Sequence, residues 1–248
     1  MSAKYDQIGT TYSTTRQTDP RIAEQIHAQL IGAKRIINIG AGTGSYEPDH
    51  ADLVAVEPSA KMITQRRPDA HAVVQASAEQ LPFDDNSFTH ALTILSMHHW
   101  SDKPKAFHEI NRVTVERFVA VTWNPEFGPF WLTRDYLPEI HTDDDQNFPT
   151  LDELKRHFDK VESTPLLIPA DCKDGFLAAY WKRPEAYLDQ QNRNSISVCI
   201  NIKDDHEGLT RLRKDIDSGA WAEKNRDVLD KESLDAGYVI ITAKTRNT

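Results

Sequence analysis

Apolar residues recur along the first half of the chain in two rhythms. Ile22, Ala23, Ile26 and Leu30 stand three and four apart, a spacing that predicts a helix packed through one face. Asp19 and Pro20 precede it, a capping residue followed by one suited to the first helical turn. Between such segments lie short β-branched runs at 35–39 (RIINI), 52–57 (DLVAVE), 72–75, 88–95 (FTHALTIL) and 117–123 (RFVAVTW). Helical spacing returns at 60–66, stopped by Pro68, and around 104–113. Strands separated by helices predict βαβ crossovers, a largely parallel sheet and an α/β fold with helices on both faces.

The second half follows a different pattern. Residues 125–141 are rich in aromatics (Phe127, Phe130, Trp131, Tyr136). Thr150 and Glu153 form a capping-box signature that opens another helix. Residues 161–168 predict a sixth strand and 237–244 (GYVIITAK) a last one. About 65 residues of charged, helical sequence separate these two, too many for a bare loop in a compact domain. They predict a helical cap inserted before the last strand. The expected division is a core of residues 1–169 and 232–248, with the cap at 170–231 over the carboxyl ends of the strands.

Charge and composition narrow the class. Of the 248 residues, 29 are Lys or Arg and 38 Asp or Glu, a net charge of −9 that disfavours nucleic acid and a polybasic membrane mode. Mean hydropathy is −0.59 and no apolar run approaches the length of a membrane span. Residues 1–20 show no apolar leader segment. Cys172 and Cys199 make neither a disulfide framework nor a zinc site, so a reducing cytoplasm is the expected compartment.

The densest chemistry is at 36–45 (IINIGAGTGS), where a strand runs into a glycine turn and an expected helix. Glycines there permit positive φ and close approach of a ligand. Thirteen residues after Gly44, Glu57 ends the next strand, where an acid can accept both ribose hydroxyls of a nucleoside. A phosphate-binding P-loop needs a lysine that is absent after Gly44, and a dinucleotide fingerprint would put glycine where Ser45 stands. A nucleoside without a pyrophosphate fits better, S-adenosylmethionine being the obvious one. A nicotinamide-dependent oxidoreductase and a noncatalytic cofactor-binding module are the competing readings.

Segments 36–46 (IINIGAGTGSY), 54–62 (VAVEPSAKM), 74–88 (VQASAEQLPFDDNSF) and 95–100 (LSMHHW), in that order, resemble the class I S-adenosylmethionine-dependent methyltransferases. The similarity is to small-molecule enzymes of the ubiquinone/menaquinone C-methyltransferase type and to uncharacterised antibiotic-pathway relatives. It implies a Rossmann-like, seven-stranded, mostly parallel sheet, with S-adenosylmethionine as methyl donor and S-adenosylhomocysteine as product. It also implies roles: Gly40, Ala41 and Gly42 against the methionine moiety, Glu57 on the ribose, and Pro58, Met62, Ala78 and Leu95 around the nucleoside. Many relatives carry Asp where Ser77 stands, leaving Ser77 or Glu79 to substitute. Asn38 replaces the usual acid before the glycines. The arm Tyr5…Tyr12…Arg16 is similar to relatives in which such an arginine pairs with the cofactor carboxylate, and Tyr12 is placed to cover the site.

Methyl transfer from a sulfonium is an in-line displacement, so alignment supplies most of the catalysis and a base is needed only when the acceptor must lose a proton. Ligands of open α/β sheets sit beyond the strands' carboxyl ends, which places 95–100 toward the acceptor and makes His98 and His99 candidate bases. Neighbouring residues on a strand point to opposite faces, so this pair is not expected to chelate a metal, and Asp143 to Asp145 fit a solvated loop better. Among the later aromatics, Trp131, Tyr136, Phe176, Tyr180 and Trp181 are candidates to enclose a ring-bearing acceptor, with ordinary cap core the better expectation for each singly. The function so read is methyl transfer to a small-molecule acceptor by a monomer or homodimer.

Overall fold

The structure, a computed structural model, describes residues 16–49, 51–140 and 147–246. Tyr12 and Asp143 to Asp145 lie outside these residues. Helix α1 (Pro20–His27) opens at Asp19, whose carboxylate accepts the Arg21 N–H at 3.0 Å. The strands β1 (Arg35–Ile39), β2 (Asp52–Val56), β3 (Val73–Val74), β4 (Phe88–Ile94) and β5 (Thr114–Trp123) follow. Helix α2 (Ala60–Thr64) joins β2 to β3, and α3 (Lys103–Val113) runs directly into β5. After α4 (Trp131–Asp135) and α5 (Leu151–His157), β6 (Asp159–Pro165) leads to the short β7 (Ile168–Pro169). The stretch that follows holds α6 (Gln190–Asn194), α7 (Glu207–Ser218), α8 (Ala220–Lys224) and α9 (Arg226–Leu229), and the chain closes with β8 (Ser233–Leu234) and β9 (Tyr238–Lys244).

Seven strands form one sheet in the order β3-β2-β1-β4-β5-β9-β6. Strands β3 through β5 pair in parallel, and β9 runs antiparallel to both its neighbours. Alternation explains why both faces are covered. Val119 and Val121 of β5 and Ile240 of β9 join a buried cluster with Ile22 and Ile26 of α1. Phe118, Ala120 and Ile241 face the other way, into a cluster with Phe107 and Ile110 of α3 and Leu154 of α5. A third cluster gathers Trp131, Leu132 and Tyr136 with Tyr187, Leu212 and Trp221, so its apolar residues come from both sides of β6.

Three local expectations need correction. Among the described residues, no helix follows the glycine turn. Gly40, Gly42 and Gly44 all have positive φ, and so has Tyr46 at 64°, which prevents a run of helical carbonyls. The donors are spent elsewhere: Gly44 N–H on the Ala41 carbonyl at 2.9 Å and Tyr46 N–H on Thr18 Oγ1 at 3.2 Å. The expected sixth strand splits, because β6 ends at Pro165 and Ile168 pairs instead with Leu234 in a separate ribbon. Finally, His98 and His99 lie on a single 3₁₀ turn, Met97–His99, and not on a strand. Their rings therefore lie side by side, with centroids 3.7 Å apart and planes tilted by 50°.

Asp19 also anchors the later chain. It is fully buried and accepts the Lys173 N–H at 3.0 Å and the Arg21 guanidinium at 2.8 Å. Burial works against its charge, but the hydrogen bonds from the Arg21 side chain and from the Lys173 and Arg21 backbones outweigh it, leaving the carboxyl at about 2. A depressed pKa stabilises the fold above the unfolded value and is lost as pH falls through the folded one. Asp19→Asn is therefore expected to cost about 1–2 kcal/mol at neutral pH, discounted because Arg21 is half exposed. Denaturant titrations should show that difference shrinking between about pH 4 and pH 2.

Candidate active site

The chain order reverses between β2 and β4 on either side of β1, and ligands of such sheets bind at the carboxyl ends beside that reversal. A cavity of about 370 Å³ lies there. The glycine turn forms one wall. Gly40 and Ala41 both donate their N–H to the Val56 carbonyl, at 2.9 and 3.0 Å, which brings the turn against the end of β2. Glu57, 5% exposed, then closes the junction: one carboxylate oxygen accepts Gly42 N–H at 2.8 Å and the other accepts Ser59 N–H at 2.9 Å. An acid fixed at both oxygens is held in one orientation and retains lone pairs for a ligand's hydroxyls.

The cavity is lined by Arg16, Gly40, Ala41, Gly42, Glu57, Pro58, Met62, Ser77, Ala78, Glu79, Leu95 and His99, all of them candidates from the sequence. Glu79 has a second task. Its Oε1 accepts the N–H and hydroxyl of Ser101, at 2.8 and 2.9 Å, at the approach to α3. Burial opposes its charge, yet these hydrogen bonds and those from Ser77 and Asp102 hold it below the usual carboxylate range. Leu95 follows β4 with φ at 49°, a conformation uncommon for a leucine, and turns the chain out of the strand beside the cavity.

His98 is not on this cavity. It lines a second, smaller one of about 50 Å³, together with Phe148, Phe176, Ile196, Val198 and Tyr238. Arg16 and Leu95 line both and mark where they meet. Of the aromatics expected to enclose an acceptor, only Phe176 reaches this space. Trp131, Tyr136 and Tyr180 pack in the third cluster, and Trp181 is buried in the first with its Nε1 donating to the Ile168 carbonyl at 3.0 Å. The sequence reading missed Phe148 and Tyr238, whose positions depend on packing. It also missed Tyr46, Trp100 and Ser101 on the larger cavity, although Tyr46 and Trp100 end motifs that were recognised.

Comparison with known proteins agrees with this geometry. A methyltransferase-domain family profile matches residues 37–117. The crystal structure of a protein from Anabaena variabilis, assigned as a methyltransferase of an antibiotic biosynthesis pathway, superposes with a TM-score of 0.82. It is 31% identical, over 92% of this chain and 98% of that one. The chain belongs to the class I S-adenosylmethionine-dependent methyltransferases. Curated relatives include a demethylmenaquinone methyltransferase of Renibacterium salmoninarum, 29% identical over 147 residues, and the uncharacterised methyltransferase YcgJ of Bacillus subtilis, 26% identical over 178 residues. Those matches cover 52% and 67% of this chain, and the chain spans 62% and 63% of their lengths.

The cofactor of this family is S-adenosylmethionine, and the cavity's own chemistry fits it. Asn38 is buried on the cavity wall, and its Oδ1 has no hydrogen-bond partner. Its amide orientation is set, because Nδ2 donates to Glu47 at 3.0 Å and Glu47 in turn pairs with the buried Arg66 at 2.7 Å. An unmatched buried acceptor is costly, and an ammonium group would satisfy it. Gly42 completes the fit. A Cβ there would stand 3.4 Å from the terminal methyl of Met62, filling the slot between the turn and α2.

Proposed function

We propose that the protein transfers a methyl group from S-adenosylmethionine to a small apolar, ring-bearing acceptor held in the second cavity. The observation that carries this reading is the junction of the two cavities at Leu95 and Arg16. When bound, S-adenosylmethionine supplies a methyl group activated on a sulfonium. Glu57 accepts the ribose hydroxyls, Met62 packs on the adenine, and the Asn38 carbonyl oxygen accepts from the ammonium. Phe148, Phe176 and Tyr238 supply ring faces to the acceptor, and the His98 ring lies 4.4 Å from that of Phe148.

The chain's work is then alignment and exclusion of water, with His98 or His99 available to take a proton from an acceptor that must lose one. A benzene-sized site measures about 150 Å³, so binding of an acceptor ring requires the turn that carries Ile196, Ser197 and Val198 on the wall of the smaller cavity to move outward. Calorimetry distinguishes this reading from the oxidoreductase one. S-adenosylhomocysteine is expected to bind and NAD is not; the reverse would overturn the assignment. Phe148→Ala is expected to raise the acceptor KM at least tenfold while S-adenosylhomocysteine affinity changes less than twofold. A matched loss of both would remove the second cavity from the acceptor's path.

A further inference from the structure

Asp174 is a carboxylate for which the reaction above has no use, yet it is 1% exposed and stands behind the cavity wall. It belongs to the segment that follows β7. Its Oδ1 accepts Arg16 Nε at 2.7 Å, its Oδ2 accepts Arg16 Nη2 at 3.4 Å and the Tyr46 hydroxyl at 2.8 Å. Burial and the neighbouring Asp174 charge push the Tyr46 phenol well above its ordinary range, so it stays a donor. Arg16 and Tyr46 both line the larger cavity, whereas Asp174 does not.

The segment carrying Asp174 is fixed from several sides. Asp19 holds the Lys173 N–H at 3.0 Å, and Arg183 donates to the Cys172 carbonyl at 2.7 Å. A long arginine side chain loses rotamer entropy when it is ordered, and a preset carboxylate bears that cost before any ligand arrives. We infer that Asp174 is a positioning residue: it presents Arg16 at the meeting point of the two cavities and Tyr46 on the wall of the larger one, so that Arg16 receives the cofactor's carboxylate. The inference rests on the reading of the larger cavity as the S-adenosylmethionine site.

Two ligands separate positioning from mere stability. S-adenosylhomocysteine carries the amino-acid carboxylate, and 5′-methylthioadenosine keeps the nucleoside without it. Asp174→Asn is expected to raise the Kd for S-adenosylhomocysteine at least tenfold and that for 5′-methylthioadenosine less than twofold. Tyr46→Phe, which removes one partner and no charge, should show the same selectivity at about threefold, and it carries the test if the Asp174 variant does not fold. Asp171→Asn, on the same segment but 80% exposed, should change neither ligand. Equal losses for both ligands, or no loss for S-adenosylhomocysteine, would overturn the inference. Tighter S-adenosylhomocysteine binding by Asp174→Asn would also overturn it, because Asp174 would then compete for Arg16 instead of presenting it. Failure of the unaltered protein to bind either nucleoside would overturn the cofactor reading itself, and this inference with it.

Discussion

Glu57→Ala is expected to weaken S-adenosylhomocysteine binding by about two orders of magnitude. Two effects add. The ribose hydroxyls lose a charged acceptor, and hydrogen bonds to charged groups are worth about 1.5–3 kcal/mol each. The N–H groups of Gly42 and Ser59 lose the oxygens that hold the glycine turn against the end of β2. A net loss of about 3 kcal/mol corresponds to a factor of about a hundred. Glu57→Gln keeps one carbonyl acceptor and should fall between the two. Calorimetry on variants whose melting transitions remain cooperative checks the ranking, and unchanged affinity in a folded Glu57→Ala protein would remove Glu57 from the site.

Gly40→Ala and Gly42→Ala should separate stability from binding although they lie two residues apart. Both positions have positive φ, which costs an L-residue about 1–2 kcal/mol. Gly40 faces a further obstacle. A Cβ there would stand 2.6 Å from the Cβ of Ser96. Ser96 cannot swing away easily, since its hydroxyl sits 2.7 Å from Thr93 Oγ1 and donates to the Ile39 carbonyl at 3.2 Å. Gly40→Ala is thus expected to lose about 3 kcal/mol or more of stability, the strain and the overpacking together. At Gly42 the neighbour is the flexible end of Met62, so stability falls only by the strain while the cofactor slot is filled. Its expected signature is a modest drop in Tm with at least a tenfold loss of S-adenosylhomocysteine affinity. Gly128→Ala, also at positive φ but with open space around it, supplies the strain-only reference for stability.

Much of the frame was legible because it rests on local rules. The unbroken apolar run Phe118 to Val121 announces a strand buried on both faces, and Phe118 and Val119 do enter opposite clusters. The Asp19–Pro20 and Thr150–Glu153 signatures mark helix starts, and Thr150 accepts the Glu153 N–H at 3.1 Å. The glycine turn and Glu57 were legible because few arrangements place an acid at the end of the strand next to such a turn. What escaped depends on contacts between distant segments. Asp174 meets Arg16 across 158 residues, and nothing in its neighbourhood sets it apart from the chain's many exposed acids. Phe148 and Tyr238 meet at the second cavity only after β9 inserts beside β5. The helix expected after Gly44 is absent because a third glycine and Tyr46 also take positive φ, a choice fixed by the hydrogen bonds to Thr18 and Asp174.

The most direct measurement is transfer of a labelled methyl group from S-adenosylmethionine into a pool of small metabolites, with the products separated by mass spectrometry. The account predicts label in a ring-bearing small molecule, formed by the unaltered protein and lost with Glu57→Ala at limiting donor concentration. Tight S-adenosylhomocysteine binding without label in any metabolite, or label found only in protein or nucleic acid, would contradict it.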